Sequence, residues 1–137
     1  MIQLVFCTRN SHKTKELKKA LGSQITLSDL NEIGFNDDII ENGKTFIENS
    51  IIKCETVYKR AGLPVIADDS GLSVLSLGGR PGIHSARYGG DGLTDKDRYE
   101  LLLGELKGHT GRDASFVCAL TLYMNPNNIY VIQEEII

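Results

Sequence analysis

Two adjacent carboxylates follow a short apolar run, in the segment Ala67-Asp68-Asp69-Ser70-Gly71. Carboxylates beside a buried strand are unfavourable unless they face water, bind a cation or accept hydrogen bonds. Mg²⁺ is commonly held by one or two carboxylates together with waters and substrate phosphates. The pair Asp68 and Asp69 therefore indicates a candidate Mg²⁺ site at the end of a strand. A plain turn is the open alternative, because Asp, Ser and Gly are frequent turn residues.

A second polar segment, Thr8-Arg9-Asn10-Ser11-His12-Lys13, joins an apolar run to a helical pattern. Backbone N–H groups and the helix dipole favour an anion at a helix N-terminus. Hydroxyl and amide side chains add donors, and the Lys13 ammonium suits a phosphate. These features indicate a phosphate cradle that is not a P-loop, since the required glycines are absent. An ordinary helix cap beside an exposed lysine remains the alternative.

Four more polar residues could contribute to chemistry. Glu41 precedes a helical segment, where a carboxylate can cap the helix or bind a cation, and Asn49 and Lys53 lie four residues apart on one helical face. An asparagine inside a helix is mildly unfavourable, which indicates a specific contact. Arg87, in a glycine-rich segment, can bind phosphate or carboxylate through two parallel hydrogen bonds. Solvated surface or a structural ion pair is the alternative for each.

Strands and helices alternate early in the chain and a hairpin comes late, which predicts an α/β fold with a mixed sheet. The predicted strands are Ile2–Cys7, Ile25–Ser28, Pro64–Ala67, Leu72–Leu75, Ala114–Met124 and Ile129–Ile136. The predicted helices are His12–Leu21, Thr45–Ala61 and a third that Thr94 caps and that runs to Leu106. In the third helix we expect an inward face of Tyr99, Leu102, Leu103 and Leu106. Residues 31–42 and 78–92 are predicted loops.

Composition restricts the class of protein. The 137 residues suit one domain, 1–137, and the net charge of −3 argues against a nucleic-acid polymer as partner. No stretch approaches the length of about 18 apolar residues that a membrane span needs. The three scattered cysteines, Cys7, Cys54 and Cys118, have no metal-ligand spacing and indicate a reducing compartment. We expect a cytoplasmic protein.

Taken in order, the polar segments resemble the inosine/xanthosine triphosphate pyrophosphatase family, and the resemblance runs through the whole chain. It is carried by residues 8–13, by 41–49 with Lys53, by Ala67-Asp68-Asp69-Ser70-Gly71-Leu72, and by Leu77-Gly78-Gly79-Arg80-Pro81-Gly82-Ile83-His84-Ser85-Ala86-Arg87-Tyr88. Four matching segments in the same order as in the family are very unlikely to occur by chance. The last two together are specific to the family.

The resemblance implies an elongated mixed sheet flanked by helices, two lobes with the active site in the cleft between them, and a homodimer. It implies Mg²⁺-dependent hydrolysis of ITP, dITP and XTP to the monophosphate and pyrophosphate, which cleanses the nucleotide pool. Glu41 and Asp69 would bind Mg²⁺, with Asp68 a further candidate, and Asp69 would also be the base toward water. The implied substrate-binding residues are Thr8, Arg9, Asn10, Ser11, His12, Lys13, Asn49, Lys53, Ser70 and Arg87. The resemblance also implies that Asn49, Asp68 and Arg87 support the site.

The sequence departs from the family pattern in one respect. It contains neither the family's Gly-Phe-Gly-Tyr-Asp-Pro segment nor its late Ser-His-Arg segment, which close over the purine and read its 6-oxo group. The chain ends at Ile137 within a predicted strand, and we expect that a C-terminal portion is missing. A 137-residue product is expected to have lost activity and selectivity.

Two other functions remain open. One is a nucleotide- or anion-binding remnant without catalysis, if the chain is of full length. The other is a pyrophosphatase of related fold from the Maf-like family, acting on pyrimidine or modified nucleotides. The segment Ser85-Ala86-Arg87-Tyr88 argues against the second alternative.

Overall fold

A computed structural model describes residues 2–137. The strands are β1 (Ile2–Phe6), β2 (Ile25–Asp29), β3 (Val65–Val74), β4 (Ala114–Asn125) and β5 (Asn128–Ile136). The helices are α1 (Ser11–Leu21), α2 (Phe46–Ala61) and α3 (Asp95–Glu105), with short 3₁₀ helices at Leu75–Leu77 and Gly82–Arg87. The five strands form one sheet in the order β2-β1-β3-β4-β5.

The sheet is mixed, as predicted. Strand β1 pairs in parallel with both β2 and β3. Strands β4 and β5 are neighbours joined by two residues, Pro126 and Asn127, and a connection that short requires antiparallel strands. The α/β prediction is therefore confirmed.

Alternation along β1 sends its side chains into two separate cores. Leu4 and Phe6 pack with Leu17 and Leu21 of α1. Val5 and Cys7 instead pack in a second cluster with Cys54 and Val57 of α2. Helices α1 and α2 therefore cover opposite faces of β1.

The helix boundaries follow from their caps. The Asn10 side chain accepts from the backbone N–H groups of His12 and Lys13, and the Thr45 side chain accepts from that of Glu48. Helix α2 ends at Gly62, which has a positive φ of 65° and donates its N–H to the Tyr58 carbonyl. Asparagine and threonine are favoured N-caps because their oxygens satisfy backbone donors that lack partners within the helix.

The described chain comprises two compact units. The first runs to Asp69 and includes Ala119–Ile132, and the second consists of Ser70–Cys118 and Gln133–Ile137. The first unit contains both core clusters. In the second unit, Arg80 forms an ion pair of 2.9 Å with Glu105 near the end of α3, and the Tyr88 hydroxyl donates to the same carboxylate.

No helix among residues 2–137 is long and apolar enough to span a membrane.

Two predictions about the elements are wrong. The strands predicted at Pro64–Ala67 and Leu72–Leu75 are one continuous strand, β3, and Leu75 begins a 3₁₀ helix. The segment 68–71 is therefore strand and not a turn. The predicted loop at 78–92 also contains the 3₁₀ helix Gly82–Arg87.

The predicted inward face of α3 is only partly correct. Leu106 is buried, but Tyr99 and Leu103 are about half exposed, at 52% and 51%. Leucines occur at three consecutive positions, 101–103, and such a run points in several directions around a helix. The apolar pattern therefore did not define one face.

Candidate active site

The two adjacent aspartates lie beyond the end of β1. The register of β1 and β3 ends where Phe6 pairs with Ile66, and the Cys7 N–H donates to the Ile66 carbonyl. Strand β3 continues past this point, so Asp68 and Asp69 have no β1 residue opposite them. Successive residues of a strand face opposite sides of the sheet. This geometry explains why Asp69 is buried while Asp68 is only partly so.

Lys53 of α2 joins three acidic residues at this position. Its Nζ lies 3.1 Å from Oε1 of Glu41 and 3.6 Å from Oδ1 of Asp69. It also donates to the backbone carbonyl of Asp68 at 3.0 Å. Burial by itself would lower the pKa of Lys53, but the charge and hydrogen bond of Glu41 and the charges of the aspartates outweigh it, so the pKa is raised. The lysine is therefore a fixed cation at neutral pH.

Asp69 has an environment suited to accepting a proton. Burial raises its pKa, the Lys53 charge opposes that shift, Glu41 adds to it, and the net pKa is above the ordinary value. Its Oδ2 is buried and has no hydrogen-bond partner. A buried carboxylate oxygen without a partner is unfavourable, and such an atom commonly marks a ligand or ion site.

The donor set of Glu41 and Asp69 fits Mg²⁺. Both side chains are partly withdrawn from water, and Asp69 offers its unpaired Oδ2. Within residues 2–137, no group of three or more His, Cys, Asp or Glu side chains gathers to hold a metal by itself. Mg²⁺ does not require such a cage, because waters and substrate phosphates complete its shell.

The loop that carries Glu41 is fixed to the start of α2. The Gly43 N–H donates to Oδ1 of Asn49 at 2.8 Å, and the Lys44 N–H donates to Oε2 of Glu48 at 2.7 Å. Asn49 is only 3% exposed. The expectation that this helical asparagine has a specific contact is therefore met, and the partner is a backbone N–H.

The predicted phosphate cradle lies at the start of α1. Lys13 reaches Oδ2 of Asp68, with Nζ 3.4 Å away. Asn10 uses its side-chain oxygen as the helix cap, and the Thr8 hydroxyl accepts from the Asn10 N–H at 3.1 Å. Ser11 and His12, in the first turn, are exposed. The structure thus brings Lys13 and Lys53 to the same pair of aspartates.

Arg9 is engaged with the protein backbone. Its Nη2 donates to the carbonyls of Phe35 and Asp37, at 3.2 and 2.9 Å. Its guanidinium carbon also lies 6.0 Å from the centre of the Phe35 ring. These contacts hold the loop after β2, and a substrate contact of Arg9 stays a prediction.

The remaining predicted residues belong to the second unit. Ser70 is half-buried and follows Asp69 directly along β3, while Arg87 is exposed at the end of the 3₁₀ helix Gly82–Arg87. The preceding Ser85 accepts from the Leu72 N–H at 2.9 Å and donates to the Gly82 carbonyl at 2.6 Å. The Ser-Ala-Arg-Tyr segment is therefore attached to β3 through its serine.

Gly43 is the residue of this site that sequence reasoning missed. A Cβ there would lie 2.6 Å from Oδ1 of Asn49 and 2.8 Å from Cβ of Glu48. Its φ is not in the left-handed region, so the constraint is space and not backbone conformation. A glycine two residues after a candidate ligand and two before the Thr45 helix cap was the only available signal.

Comparison with known families resolves what kind of protein carries this arrangement. The model of the Ham1 family matches residues 4–137. The chain belongs to the Ham1 family. Among curated Ham1 relatives, it is 46% identical to the dITP/XTP pyrophosphatase of Bacillus subtilis over 125 residues, covering 89% of this chain and 63% of that protein. It is 45% identical over 120 residues to the dITP/XTP pyrophosphatase of Syntrophobacter fumaroxidans, covering 87% of this chain and 52% of the relative.

Solved Ham1 structures have the same fold. The Ham1 protein of Staphylococcus aureus superposes with a TM-score of 0.89 at 35% identity, and a HAM1 protein of Coxiella burnetii with 0.90 at 36%. Each comparison covers 98% of this chain, and 69% and 71% of the respective neighbour. The chain spans about half to two-thirds of the length of the two curated relatives described above. The predicted family and fold are confirmed.

Proposed function

We propose that the protein hydrolyses noncanonical purine nucleoside triphosphates, of the dITP and XTP class, to the monophosphate and pyrophosphate with the help of Mg²⁺. The main support is the convergence of two lysines and three acidic residues beyond the end of β1. Relatives at 45–46% identity are named dITP/XTP pyrophosphatases. We further propose that the protein acts as a homodimer and removes such nucleotides from the cytoplasmic pool.

The charges of the site suit a triphosphate. Lys13 is half-exposed and its ion pair with Asp68 is 3.4 Å long, so its ammonium can exchange this partner for a phosphate at small cost. Lys53 is more buried and held by Glu41 and Asp69. Hydrolysis of a phosphoanhydride depends mainly on positioning and on neutralising charge on phosphoryl oxygens. Both lysines provide that neutralisation.

Glu41 and Asp69 would hold the Mg²⁺, with Asp68 as a further candidate. When bound, this ion would polarise phosphoryl oxygens and neutralise developing charge. Asp69 would additionally accept the proton of the attacking water.

The residues at the start of α1 would contact phosphate oxygens. Ser11 is exposed in the first helical turn, where backbone N–H groups and the helix dipole favour an anion. Thr8, Asn10 and His12 flank Ser11 and are proposed to bind the substrate with it. The other residues proposed to bind the substrate or support the site are Arg9, Asn49, Ser70 and Arg87. The Arg87 side chain is exposed, so its guanidinium is accessible to an anionic ligand.

The test is a substrate comparison on the protein expressed from its complete reading frame. Pyrophosphate release should be fast with dITP and XTP, at least an order of magnitude slower with dATP and dGTP, and dependent on Mg²⁺. Equal rates for all four nucleotides, or release of orthophosphate in place of pyrophosphate, would refute the proposed reaction.

A further inference from the structure

The side chain of Asn49 contacts both sides of the site. It is 3% exposed and accepts the Gly43 N–H at 2.8 Å. Its amide also lies near the Asp69 carboxyl, where it opposes the rise in pKa that burial causes and so favours the charged form. Asn49 therefore links the loop that carries Glu41 with the strand that carries Asp69.

The loop has no regular structure of its own to fix Glu41. Residues 36–45 belong to no helix or strand, and α2 begins at Phe46. Near Glu41 the loop is attached through the Gly43 bond to Asn49, the Lys44 bond to Glu48 and the ion pair of Glu41 with Lys53, and Ile39 packs against the core. The two backbone bonds after Glu41 both go to the first turn of α2, so that turn sets the path of the chain directly after Glu41.

Gly43 allows the loop to approach Asn49 closely. An added Cβ would lie 2.6 Å from Asn49 Oδ1 and 3.2 Å from the Asn49 backbone nitrogen. The first of these atoms is held in place by the Gly43 N–H itself. A side chain at position 43 would therefore move the loop away from α2.

We propose that Asn49 is a positioning residue that sets Glu41 relative to Asp69, with Gly43 as the residue that permits this contact. The proposal rests on the proposed function, in which these two carboxylates hold a divalent cation. Resemblance alone suggested that Asn49 contacts the substrate or supports the site. Its burial and its engaged oxygen favour the supporting role. Groups that hydrogen-bond to metal-binding carboxylates typically change metal affinity by about 10- to 100-fold when they are removed.

The experiment measures Mg²⁺ binding without nucleotide, by titration calorimetry on the 137-residue chain. Asn49→Leu, of similar size, removes the bond from Gly43 and the amide beside Asp69, and Gly43→Ala forces the loop outward. Each should weaken Mg²⁺ binding by about 10- to 100-fold. Gly104→Ala is the matched glycine control, because a Cβ at position 104 meets no atom within 4 Å. Its Mg²⁺ affinity should equal that of the wild type.

A second readout separates this proposal from the proposed function. The Gly43 amide should exchange slowly with solvent in the wild type and much faster in Asn49→Leu, as measured by nuclear magnetic resonance. Wild-type Mg²⁺ affinity in folded Asn49→Leu or Gly43→Ala would overturn the positioning role. Unchanged Gly43 exchange in Asn49→Leu would do the same, even if the wild type bound no Mg²⁺ and the proposed metal site were wrong. Should Asn49→Leu fail to fold, Gly43→Ala decides, since residue 43 lies outside every helix and strand.

Discussion

The ammonium nitrogen of Lys53 lies 3.1 Å from Oε1 of Glu41, although the two residues are twelve positions apart and Glu41 lies in an irregular loop. The side chains are 19% and 30% exposed, so the pair is shielded from water and its attraction exceeds that of a surface ion pair. Truncation of the lysine would leave Glu41 and Asp69 close together without their cation. Lys53 therefore offsets part of the negative charge of these two carboxylates.

Asp69→Asn should abolish nearly all turnover of dITP by the protein from its complete reading frame. The carboxylate is the proposed base and a proposed Mg²⁺ ligand, and loss of a general base alone reduces rates by roughly 10²–10⁴-fold. The measurement is pyrophosphate release, with circular dichroism to verify the fold. Wild-type rates in Asp69→Asn would remove Asp69 from the mechanism.

Lys13→Ala should raise KM for every nucleotide by the same factor, roughly 10- to 100-fold, the equivalent of about 1.5–3 kcal/mol for a hydrogen bond to a charged group. A contact made in both ground and transition states changes KM more than kcat. Lys18→Ala is the matched control, because Lys18 lies on the same helix and pairs with Glu32 at 3.4 Å. An effect of Lys13→Ala that depends on the base would show that Lys13 has another role.

Ser50→Ala should destabilise the fold without changing nucleotide affinity. The Ser50 hydroxyl lies 2.6 Å from that of Thr121, and both residues are fully buried. A buried group left without its partner costs about 1–3 kcal/mol. Urea unfolding measures the free energy of unfolding, and an unchanged value would mean that Thr121 finds another partner.

Stability should fall between about pH 9 and pH 11, and Cys7 contributes to this fall together with Cys54, because burial raises the pKa of both thiols. Burial raises the pKa of the Cys7 thiol from 9.0 to about 11. In that interval the unfolded chain has lost the thiol proton while the folded chain retains it, so the free energy of unfolding decreases as the pH rises.

Cys7→Ala removes this titrating group and should flatten the decline of the melting temperature over the same interval. The loss of the sulfur atom lowers stability at all pH values, so the slope and not the absolute value is the readout. An identical slope in Cys7→Ala and wild type would show that other groups cause the alkaline loss. Lys53 contributes to it at higher pH, because its raised pKa favours the folded state only while the ammonium is charged.

Sequence reasoning located most elements because local signals agreed with the fold. Asn10 and Thr45 cap α1 and α2, and Gly62 ends α2. The predictions from sequence were wrong where pairing with neighbouring strands determines the local structure. Asp68-Asp69-Ser70-Gly71 has the composition of a turn, yet β3 runs through it for ten residues, since pairing within a sheet overrides weak local preference.

The same limit applies to the site. The types and order of the residues indicated Glu41, Lys53 and Asp69, but not that Lys53 lies within ion-pair distance of both carboxylates. The requirement at Gly43 is a steric contact with α2. The Lys53 contacts have no signature in the chain and Gly43 has only its position as a signal, because both relationships depend on how the loop and β3 pack against α2.

We propose above all that the carboxylates beyond the end of β1 and the two lysines form a metal-dependent triphosphate site. Titration calorimetry of the 137-residue chain with ITP, in Mg²⁺ and then in EDTA, tests it most directly. ITP should bind in Mg²⁺, and its affinity should fall at least roughly tenfold in EDTA and likewise in Glu41→Gln. No binding in Mg²⁺, or the same affinity in EDTA and in Glu41→Gln, would contradict it.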